Sequence, residues 1–372
     1  MRQKKQMSEL QLCSYDYLLP KECIATSPIF PKESAKLLVY ERASDKITHT
    51  TFKDFATFLP QETLLVFNNT KVLPARLYGT KITQDSKDSK TKGANIETLF
   101  HKEIAPNIYL MQFKGRLKVG HLVEFEGGIF ARILKDIQEN ALGVGFKEAE
   151  FFKIPQSALH TQSIQSLESP LSREEFFEFL EHFGHIPLPP YIKRQDTQED
   201  KNNYQSVFAK HLGAIAAPTA SLHFSEESYK DLRQNFQNTE VTLHIGAGTF
   251  IGVQTENILE HKMHKEYFCI SQDSADKIKQ ASHITAIGTT ATRTIEEFVR
   301  SGRLKGECDL FLHPHNKPRK TNAILTNFHL PKTTLLILVA SFIGLDKTKQ
   351  LYKEAIAQHY RFYSYGDGML IL

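Results

Sequence analysis

Residues 284–302 read ITAIGTTATRTIEEFVRSG and change within a few positions from strand-like to helix-like sequence. ITAI is a short apolar run of the length of a buried strand. RTIEEFVRS then spaces its apolar residues as one face of a helix does. A strand that leads directly into a helix is the repeating element of α/β folds, so this stretch predicts that fold class.

The same alternation extends from about residue 205 to the C-terminus. Three further strand-like runs are VTLHI (241–245), YFCI (267–270) and AILTNF (323–328). Three further helix-like runs are EESYKDLRQNF (226–236), DSADKIKQAS (273–282) and DKTKQLYKEAIAQHY (346–360). Two apolar runs near the N-terminus, LLVYER (37–42) and LLVFNN (64–69), have the length of buried strands. Together they predict a sheet covered by helices.

Residues 71–151 have a different character. Short segments of partial apolar alternation are separated by Gly, Pro or polar turns, which is typical of antiparallel strands. They are ARLYGTKI (75–82), NIETLFHKE (95–103), NIYLMQFKG (107–115), HLVEFEGGIFARILKDI (121–137) and ALGVGFK (141–147). We therefore predict a small antiparallel β-barrel inserted into the α/β domain. The charged stretch QDSKDSKTKG (84–93) is predicted to be an exposed, mobile loop.

The predicted domain organisation follows from these changes. Residues 1–14 form a loose polar extension, residues 15–70 and 152–372 form the α/β domain, and residues 71–151 form the insertion. After the insertion, Ser172 and Glu175 have the spacing of a capping box that opens a helix ending at Gly184. The longest apolar run, LLILVASFIGL (335–345), is too short to cross a bilayer and predicts a buried core element.

Composition narrows the protein class. A length of 372 residues suits two domains, and 41% hydrophobic with 24% charged residues is ordinary for a soluble globular protein. The net charge of +4 is compatible with an RNA partner, although dedicated nucleic-acid domains are usually more basic. The four cysteines are far apart and include no CxxC pair, so we expect free thiols, a reducing cytoplasm and no zinc site of the cysteine type. No apolar run follows the basic N-terminus, so no signal peptide is predicted.

Small residues and threonines surround histidines between residues 216 and 293. The phrases are AAPTASLHF (216–224), LHIGAGTF (243–250), HKMHKE (261–266) and AIGTTATR (286–293). Ten of the 16 histidines lie between His185 and His329, which is under two-fifths of the chain. Small residues let the backbone approach a ligand, and histidine exchanges protons near neutral pH. The cluster indicates a site that handles protons around a small molecule, although histidines also cap helices and fill polar cores.

Familiar catalytic motifs are missing. No GxGxxG or GK[ST] pattern follows a strand, which disfavours a Rossmann site and a P-loop, and Ser221 is not in a GxSxG elbow. His261 and His264 with Glu266 invite a metal hypothesis, but their spacing is not that of HExxH, and acid–base or structural roles are favoured. Thr289, Thr290 and Arg293 at the start of a helix would suit a carboxylate; ordinary capping with a surface arginine is the alternative.

Many phrases together resemble one family, the S-adenosylmethionine:tRNA ribosyltransferase-isomerases of queuosine biosynthesis. Besides the phrases above, the resemblance includes YDYLLP (15–20), FNNTKVLPARLYG (67–79), GHIPLPPYI (184–192), YQSVFA (204–209), LTNFHLPKTTLL (325–336) and YRFYSYGDGMLI (360–371). The motifs occur in the family's order and span nearly the whole chain after the extension. The family's fold, an α/β domain with an inserted β-barrel, agrees with the prediction from the residues.

The resemblance implies a reaction. The ribosyl part of S-adenosylmethionine is transferred to the aminomethyl group of a 7-deazaguanine at the wobble position of tRNA and is isomerised, giving epoxyqueuosine, adenine and methionine. It implies two partners, S-adenosylmethionine as a consumed substrate and tRNA carrying 7-aminomethyl-7-deazaguanine, and no metal or other cofactor. We also expect a cytoplasmic monomer without a membrane partner. An RNA- or nucleotide-binding protein of the same fold without catalysis, and a metal-dependent hydrolase built on residues 261–266, are the alternatives.

The implied chemistry needs a base beside the ribose and an acid beside the departing adenine, which histidines and one carboxylate supply. The candidate catalytic residues are His223, His244, His261, His264 and Glu266. The candidate substrate-binding residues are Thr219, Gly246, Gly248, Thr249, Thr289, Thr290, Arg293, Asn327 and His329. The candidate tRNA-binding residues are Lys71, Arg76 and Arg194.

The sequence departs from the family pattern at four places. Ser221 occupies a position where the family usually has Gly, and Asn69 one where Asp is usual. Ile251 and Gly252 replace a basic residue and Pro, and LFLHPHNKPRK (310–320) replaces the usual loop before LTNFHLP.

Overall fold

The chain divides into two compact units. The computed structural model describes residues 9–84, 90–137, 145–154, 168–246, 248 and 252–372. By contacts between Cα atoms, residues 1–72, 189–194 and 202–372 form one unit, and residues 73–188 and 195–201 form the other. We call them the α/β unit and the β unit. The predicted insertion, 71–151, therefore begins two residues early and ends well before the β unit does.

The α/β unit begins with strands that the sequence largely predicts. They are β1 (Lys36–Glu41), β2 (Lys46–Thr51), β3 (Leu64–Asn68) and β4 (Thr70–Val72). LLVYER and LLVFNN are confirmed as β1 and β3. The edge strand β2 was not predicted, because its polar sequence KITHTT stays mostly half exposed.

Residues 9–14 are not part of a loose extension. The Leu12 amide donates to the Glu256 carbonyl at 2.8 Å, and the Leu10 carbonyl accepts from the Ile258 amide at 2.9 Å. The side chains of Leu10 and Leu12 pack against the hydrophobic core. The prediction for residues 1–14 is thus wrong for this part, and residues 1–8 lie outside the described ranges.

The β unit is built from antiparallel strands. Its described strands are β5 (Arg76–Gln84), β6 (Lys90–Ala105), β7 (Ile108–Lys114), β8 (Leu122–Phe125), β9 (Ile129–Ile137), β10 (Phe146–Lys153) and β11 (Ser169–Pro170). Hydrogen bonding runs from β10 through β7, β6, β5, β8 and β9 and returns to β10, so six strands form a ring. Strand β6 begins at Lys90, so residues 90–93 of the predicted loop 84–93 are strand; residues 85–89 lie outside the described part.

One helix covers the core of the β unit and explains where the unit ends. Helix α1 (Arg173–Phe183) opens with the predicted capping box of Ser172 and Glu175 and ends at Gly184. Its Phe176 ring stacks on Tyr109 of β7, with 3.7 Å between the ring centroids. The return to the α/β domain predicted at residue 152 is wrong because this helix buries its apolar face among the β strands.

The remaining elements follow the predicted alternation. The strands are β12 (His211–Ala214), β13 (Gln237–Leu243), β14 (Glu266–Cys269), β15 (Ile284–Ile287), β16 (Lys305–Cys308), β17 (Ala323–Asn327) and β18 (Gly368–Ile371). The helices are α2 (Asp200–Asn203), α3 (Glu226–Asn235), α4 (Gln272–Gln280), α5 (Thr289–Ser301), α6 (Thr334–Ile343) and α7 (Leu345–Ala357). The predicted strand and helix runs of the C-terminal half are all confirmed.

A nine-stranded sheet organises the α/β unit, in the order β16-β14-β13-β3-β15-β17-β18-β1-β2. The neighbouring strands β13, β3, β15 and β17 run parallel. Residues of β3, β15 and β17 are buried throughout, as expected for parallel strands with both faces covered. Helix α6 is buried over Leu336–Ser341, which confirms the predicted core element. Within the described ranges, no helix has the length and apolarity needed to cross a membrane.

Candidate functional site

A cleft lies where the parallel strands of the α/β unit end. Ile245 follows β13, Gly288 follows β15, and Asn327 is the last residue of β17. Ligands of open α/β sheets bind at this edge, because the loops that leave the strands meet there. Six of the predicted substrate-binding residues line it: Thr219, Thr289, Thr290, Arg293, Asn327 and His329.

The N-terminus of helix α5 faces this cleft. Gly288 has a φ of 94°, which a side chain would strain, and it turns the chain from β15 into the helix. No side chain caps the first amides of α5, and Thr289 and Thr290 line the cleft. Unpaired amides and the helix dipole favour an anionic group there. The predicted carboxylate site at these threonines therefore has a structural basis.

The Asn327 amide is fixed from two sides. Thr219 Oγ1 donates to its Oδ1 at 2.9 Å, and its Nδ2 lies 3.3 Å from Nε2 of His223. His223 is buried and stacks on Phe52, with 3.9 Å between the ring centroids. Burial, assisted by the positive charges of Arg361 and Lys32, lowers the pKa of His223 to about 3. A neutral imidazole with Nε2 as acceptor thus orients Asn327, and His223 lies behind the cleft wall.

His329 is the predicted imidazole that reaches the cleft itself. Its Nε2 lies 2.8 Å from Thr326 Oγ1, and its backbone amide donates to the Tyr352 hydroxyl at 3.1 Å. Burial lowers the pKa of His329 to about 3, so the ring is neutral at physiological pH. A neutral imidazole carries one N–H donor and one acceptor nitrogen.

Glu266 and Arg293 form a buried ion pair. Arg293 Nη1 donates to Glu266 Oε2 inside the protein, where both side chains are almost fully buried. The Gly246 amide donates to the second carboxylate oxygen at 3.0 Å. Burial alone would lower the pKa of Arg293. The attraction of the Glu266 carboxylate outweighs the effect of burial, so the pKa is raised.

This pairing bears on two predicted roles. The guanidinium also donates to the carbonyls of Leu310 and Cys308 at 3.2 and 3.3 Å, so each of its three nitrogens has a protein partner. Bidentate binding of a substrate carboxylate by Arg293, and acid–base work by Glu266, would both require this pair to break.

The other predicted catalytic histidines do not line the cleft. His244 Nδ1 lies 2.7 Å from Thr70 Oγ1, His264 packs against Gly248, and His261 contacts Phe311. Burial lowers the pKa of all three histidines. Thr249 lies outside the described residues. In the described ranges, no group of three or more His, Cys, Asp or Glu is arranged to hold a metal ion.

The predicted tRNA-binding residues lie in different units. Lys71 belongs to β4, which pairs with β12 in the α/β unit, so its assignment to the insertion is wrong. Arg76 lies in the β unit, where its Nε is 3.2 Å from Glu97 Oε1 and its Nη2 donates to the Leu188 carbonyl at 3.3 Å. Arg194 is exposed in the α/β unit.

Tyr204, Tyr363 and Ser364 are among the eleven lining residues that were not predicted as site residues. Their signals were present, since YQSVFA and YRFYSYGDG are unusual clusters of aromatic and small residues. Tyr363 has a φ of 76°, a left-handed conformation that bulky residues seldom adopt and that concentrates at functional sites.

The loop that departs from the family pattern, 310–320, is anchored by a buried carboxylate. Glu296 of helix α5 accepts the backbone amides of Arg319, Lys320 and Thr321 at 2.7 to 2.8 Å. Arg300 donates to the Lys317 carbonyl at 2.7 Å. The loop is therefore tied to the same helix whose N-terminus faces the cleft.

Comparisons with known proteins agree with this fold and site. A family model described as queuosine biosynthesis protein matches residues 12–371. Proteins called S-adenosylmethionine:tRNA ribosyltransferase-isomerase in Helicobacter pylori (strain HPAG1) and Campylobacter fetus are each 46% identical, over 98% of this chain and 100% of theirs. The crystal structure of S-adenosylmethionine tRNA ribosyltransferase from Thermotoga maritima is 27% identical, with a TM-score of 0.51 over 96% of this chain and 100% of that one.

Proposed function

The chain belongs to the family of queuosine biosynthesis proteins, and we propose that it is an S-adenosylmethionine:tRNA ribosyltransferase-isomerase. The observation that carries this proposal is the 46% identity over 98% of this chain and the full length of relatives with that name. The cleft supports it, because the ends of parallel strands supply hydroxyls, an oriented amide, a helix N-terminus and a neutral imidazole.

The substrates are S-adenosylmethionine and a tRNA that carries 7-aminomethyl-7-deazaguanine at the wobble position. The sulfonium acidifies the adjacent ribose carbon, so a base removes a proton there, and adenine leaves as its ring is protonated. The amine nitrogen forms a bond to a ribosyl carbon, and the ribosyl carbons rearrange to the epoxycyclopentanediol of epoxyqueuosine. The carbon–sulfur bond breaks, which releases methionine. The reaction uses no metal and no second cofactor.

In this proposal, the residues at the cleft have different roles in the reaction. The amides of α5 with Thr289 and Thr290 receive the methionine carboxylate, since that end of a helix favours negative charge. Asn327, oriented by Thr219 and His223, offers a fixed hydrogen-bonding group. We assign proton exchange with the substrate to His329, because it is the predicted imidazole that lines the cleft. The ion pair of Glu266 and Arg293 fixes two backbone groups: Glu266 accepts from the Gly246 amide, and Arg293 donates to the Leu310 carbonyl.

The β unit and two basic residues of the α/β unit serve the tRNA. Six of its strands close on themselves, and in this proposal they form a small barrel that contacts tRNA rather than taking part in the chemistry. Lys71 and Arg194, both in the α/β unit, contact tRNA phosphates. The chain acts as a monomer in the cytoplasm, where tRNA is used.

The test is a reaction with tRNA that carries the aminomethyl-deazaguanine, with and without S-adenosylmethionine. We expect a mass increase on the tRNA and release of adenine and methionine in equal amounts. The matched control is the same tRNA with unmodified guanine at the wobble position, which should release neither product. Release of S-adenosylhomocysteine would mean methyl transfer and contradict the proposal. Binding of tRNA without any turnover would favour a non-catalytic RNA-binding protein.

A further inference from the structure

The cleft lacks a counter-charge for a cation. Among the described residues that line it, none is Asp or Glu, and Arg293 is the charged one. The charge of Arg293 is already matched by Glu266. A positively charged ligand group would therefore meet no carboxylate here, and the N-terminus of α5 would repel it.

Two tyrosines supply a different kind of cation site. Tyr204 and Tyr363 both line the cleft, and they belong to a cluster with Tyr191 and Tyr365. Tyr191 and Tyr363 are 4.3 Å apart between ring centroids, and Tyr204 and Tyr365 are 5.8 Å apart. Burial raises the pKa of Tyr363 to about 12 and that of Tyr204 further, so both rings are neutral. Neutral aromatic rings attract cations through the negative face of their π-systems.

The position of Tyr363 is held at a conformational cost. Its φ of 76° is unfavourable for an aromatic residue and persists only where surrounding contacts determine it. Its amide donates to the Phe328 carbonyl at 2.9 Å, and the next amide, of Ser364, donates to the Tyr191 hydroxyl at 3.2 Å. The fold therefore holds this ring at the cleft.

Tyr204 adds a second independent observation. Its side chain is 1% exposed, and its hydroxyl has no acceptor for its proton among the described residues. Tyr204 and Tyr363 are 159 positions apart in the sequence, and both line the cleft.

We infer that Tyr204 and Tyr363 form an aromatic wall that binds the sulfonium of S-adenosylmethionine by cation–π attraction. The inference rests on the proposed function, which supplies the cation. In the proposed function, the carboxylate of the same molecule binds at the N-terminus of α5. In this inference, the faces of the two aromatic rings, and not a carboxylate, distinguish the charged sulfonium from a neutral sulfur.

The test compares S-adenosylmethionine with S-adenosylhomocysteine, which has a neutral sulfur in place of the sulfonium. Titration calorimetry measures both dissociation constants for the full chain and for Tyr363→Leu, Tyr363→Phe and Tyr204→Leu. We expect each leucine variant to bind S-adenosylmethionine about 5- to 30-fold more weakly, the range of a desolvated cation–π contact, with S-adenosylhomocysteine changed by less than about 2-fold. Tyr363→Phe keeps the ring and should keep both affinities.

Tyr365→Leu is the matched control, since Tyr365 belongs to the cluster but does not line the cleft. It should leave the ratio of the two affinities unchanged. Retained binding of S-adenosylhomocysteine reports a folded site in each variant. The inference of an aromatic wall is wrong if, in both leucine variants, the affinities for the two ligands fall equally or neither affinity falls. If the unaltered chain binds neither ligand, with or without tRNA, the proposed function fails and the inference fails with it.

Discussion

The two units differ in what they bury. In the described part of the β unit, the buried polar side chains are Thr98 and Asp200, and the core is aromatic and aliphatic. The α/β unit also buries ionisable side chains, among them His223, Glu266, Arg293, Glu296, His313, His329 and Asp367. Burying such groups costs free energy unless each has partners. The contrast teaches that, among the described residues, buried ionisable side chains belong mostly to the α/β unit.

The charges of the β unit lie nearer to water. Arg76 pairs with Glu97, and Arg132 pairs with Glu150, with side chains between 18% and 29% exposed. Ion pairs in contact with solvent contribute little net stability, whereas a buried charge without its partner is expensive. The same substitution should therefore have different consequences in the two units.

The largest expected effect is on folding stability. Glu266→Gln leaves the buried guanidinium of Arg293 without its counter-charge, and we expect a loss of about 3 to 5 kcal/mol in the free energy of unfolding. The control Glu97→Gln in the β unit should cost about 1 kcal/mol or less. Urea unfolding measures both. Similar losses for the two variants would show that the units do not differ in this way.

The next effect is on turnover. Asn327→Ala removes an oriented group from the cleft, and we expect kcat/KM for S-adenosylmethionine to fall about 100-fold, the effect of deleting one fixed active-site donor. His101→Gln in the β unit is the control; this histidine contacts Phe146 and is not part of the cleft. Its turnover should be unchanged. A comparable loss from His101→Gln would place chemistry in the β unit.

A third comparison concerns Asn69, which stands where the family usually has Asp. Asn69 Nδ2 donates to Glu240 Oε2 at 2.9 Å. Burial acts to raise the pKa of Glu240, but hydrogen bonds from Lys210, Asn69 and Tyr229 outweigh it and lower the pKa. The stabilisation by ionised Glu240 is therefore present at neutral pH and is lost as pH falls through that lowered pKa.

Asn69→Asp would place two carboxylates in contact. We expect a loss of about 2 kcal/mol in stability at pH 8, where both are ionised. The loss should shrink toward pH 5, because one carboxyl of the pair then binds a proton. Urea unfolding at the two pH values tests this, with the exposed Asn95→Asp of the β unit as control. A loss that does not depend on pH would mean that charge repulsion is not its cause.

The smallest effect concerns salt dependence. Lys71→Ala should lower the slope of log affinity for tRNA against log salt by about 0.7, one single-strand phosphate contact. Arg76→Ala should leave the slope unchanged, because the guanidinium of Arg76 is engaged by Glu97 and Leu188. The measurement is the affinity of each variant for tRNA at several salt concentrations. A changed slope for Arg76→Ala alone would show that Arg76, and not Lys71, contacts a tRNA phosphate.

Sequence periodicity predicted most elements because strand and helix patterns are local. The capping box at Ser172, the strand of ITAI and the buried helix in 334–343 were all visible in short windows. Unit boundaries were less visible. Helix α1 has a sequence that would suit either unit, and only its stacking on Tyr109 assigns it to the β unit.

The amino-acid sequence by itself determined the α/β alternation, the all-β insertion, the family, and six residues that line the cleft. These depend on local pattern and on motifs that follow strand ends, which meet at one edge of a parallel sheet. Tertiary structure alone decided the partners. Glu266 and Arg293 are 27 positions apart, and His223 and Asn327 are 104 apart, so no local pattern predicts either contact. His223 and Glu266 each contact a side chain that lines the cleft, namely Asn327 and Arg293. Tyr204 and Tyr363 line the cleft together because folding brings distant backbone segments close to one another.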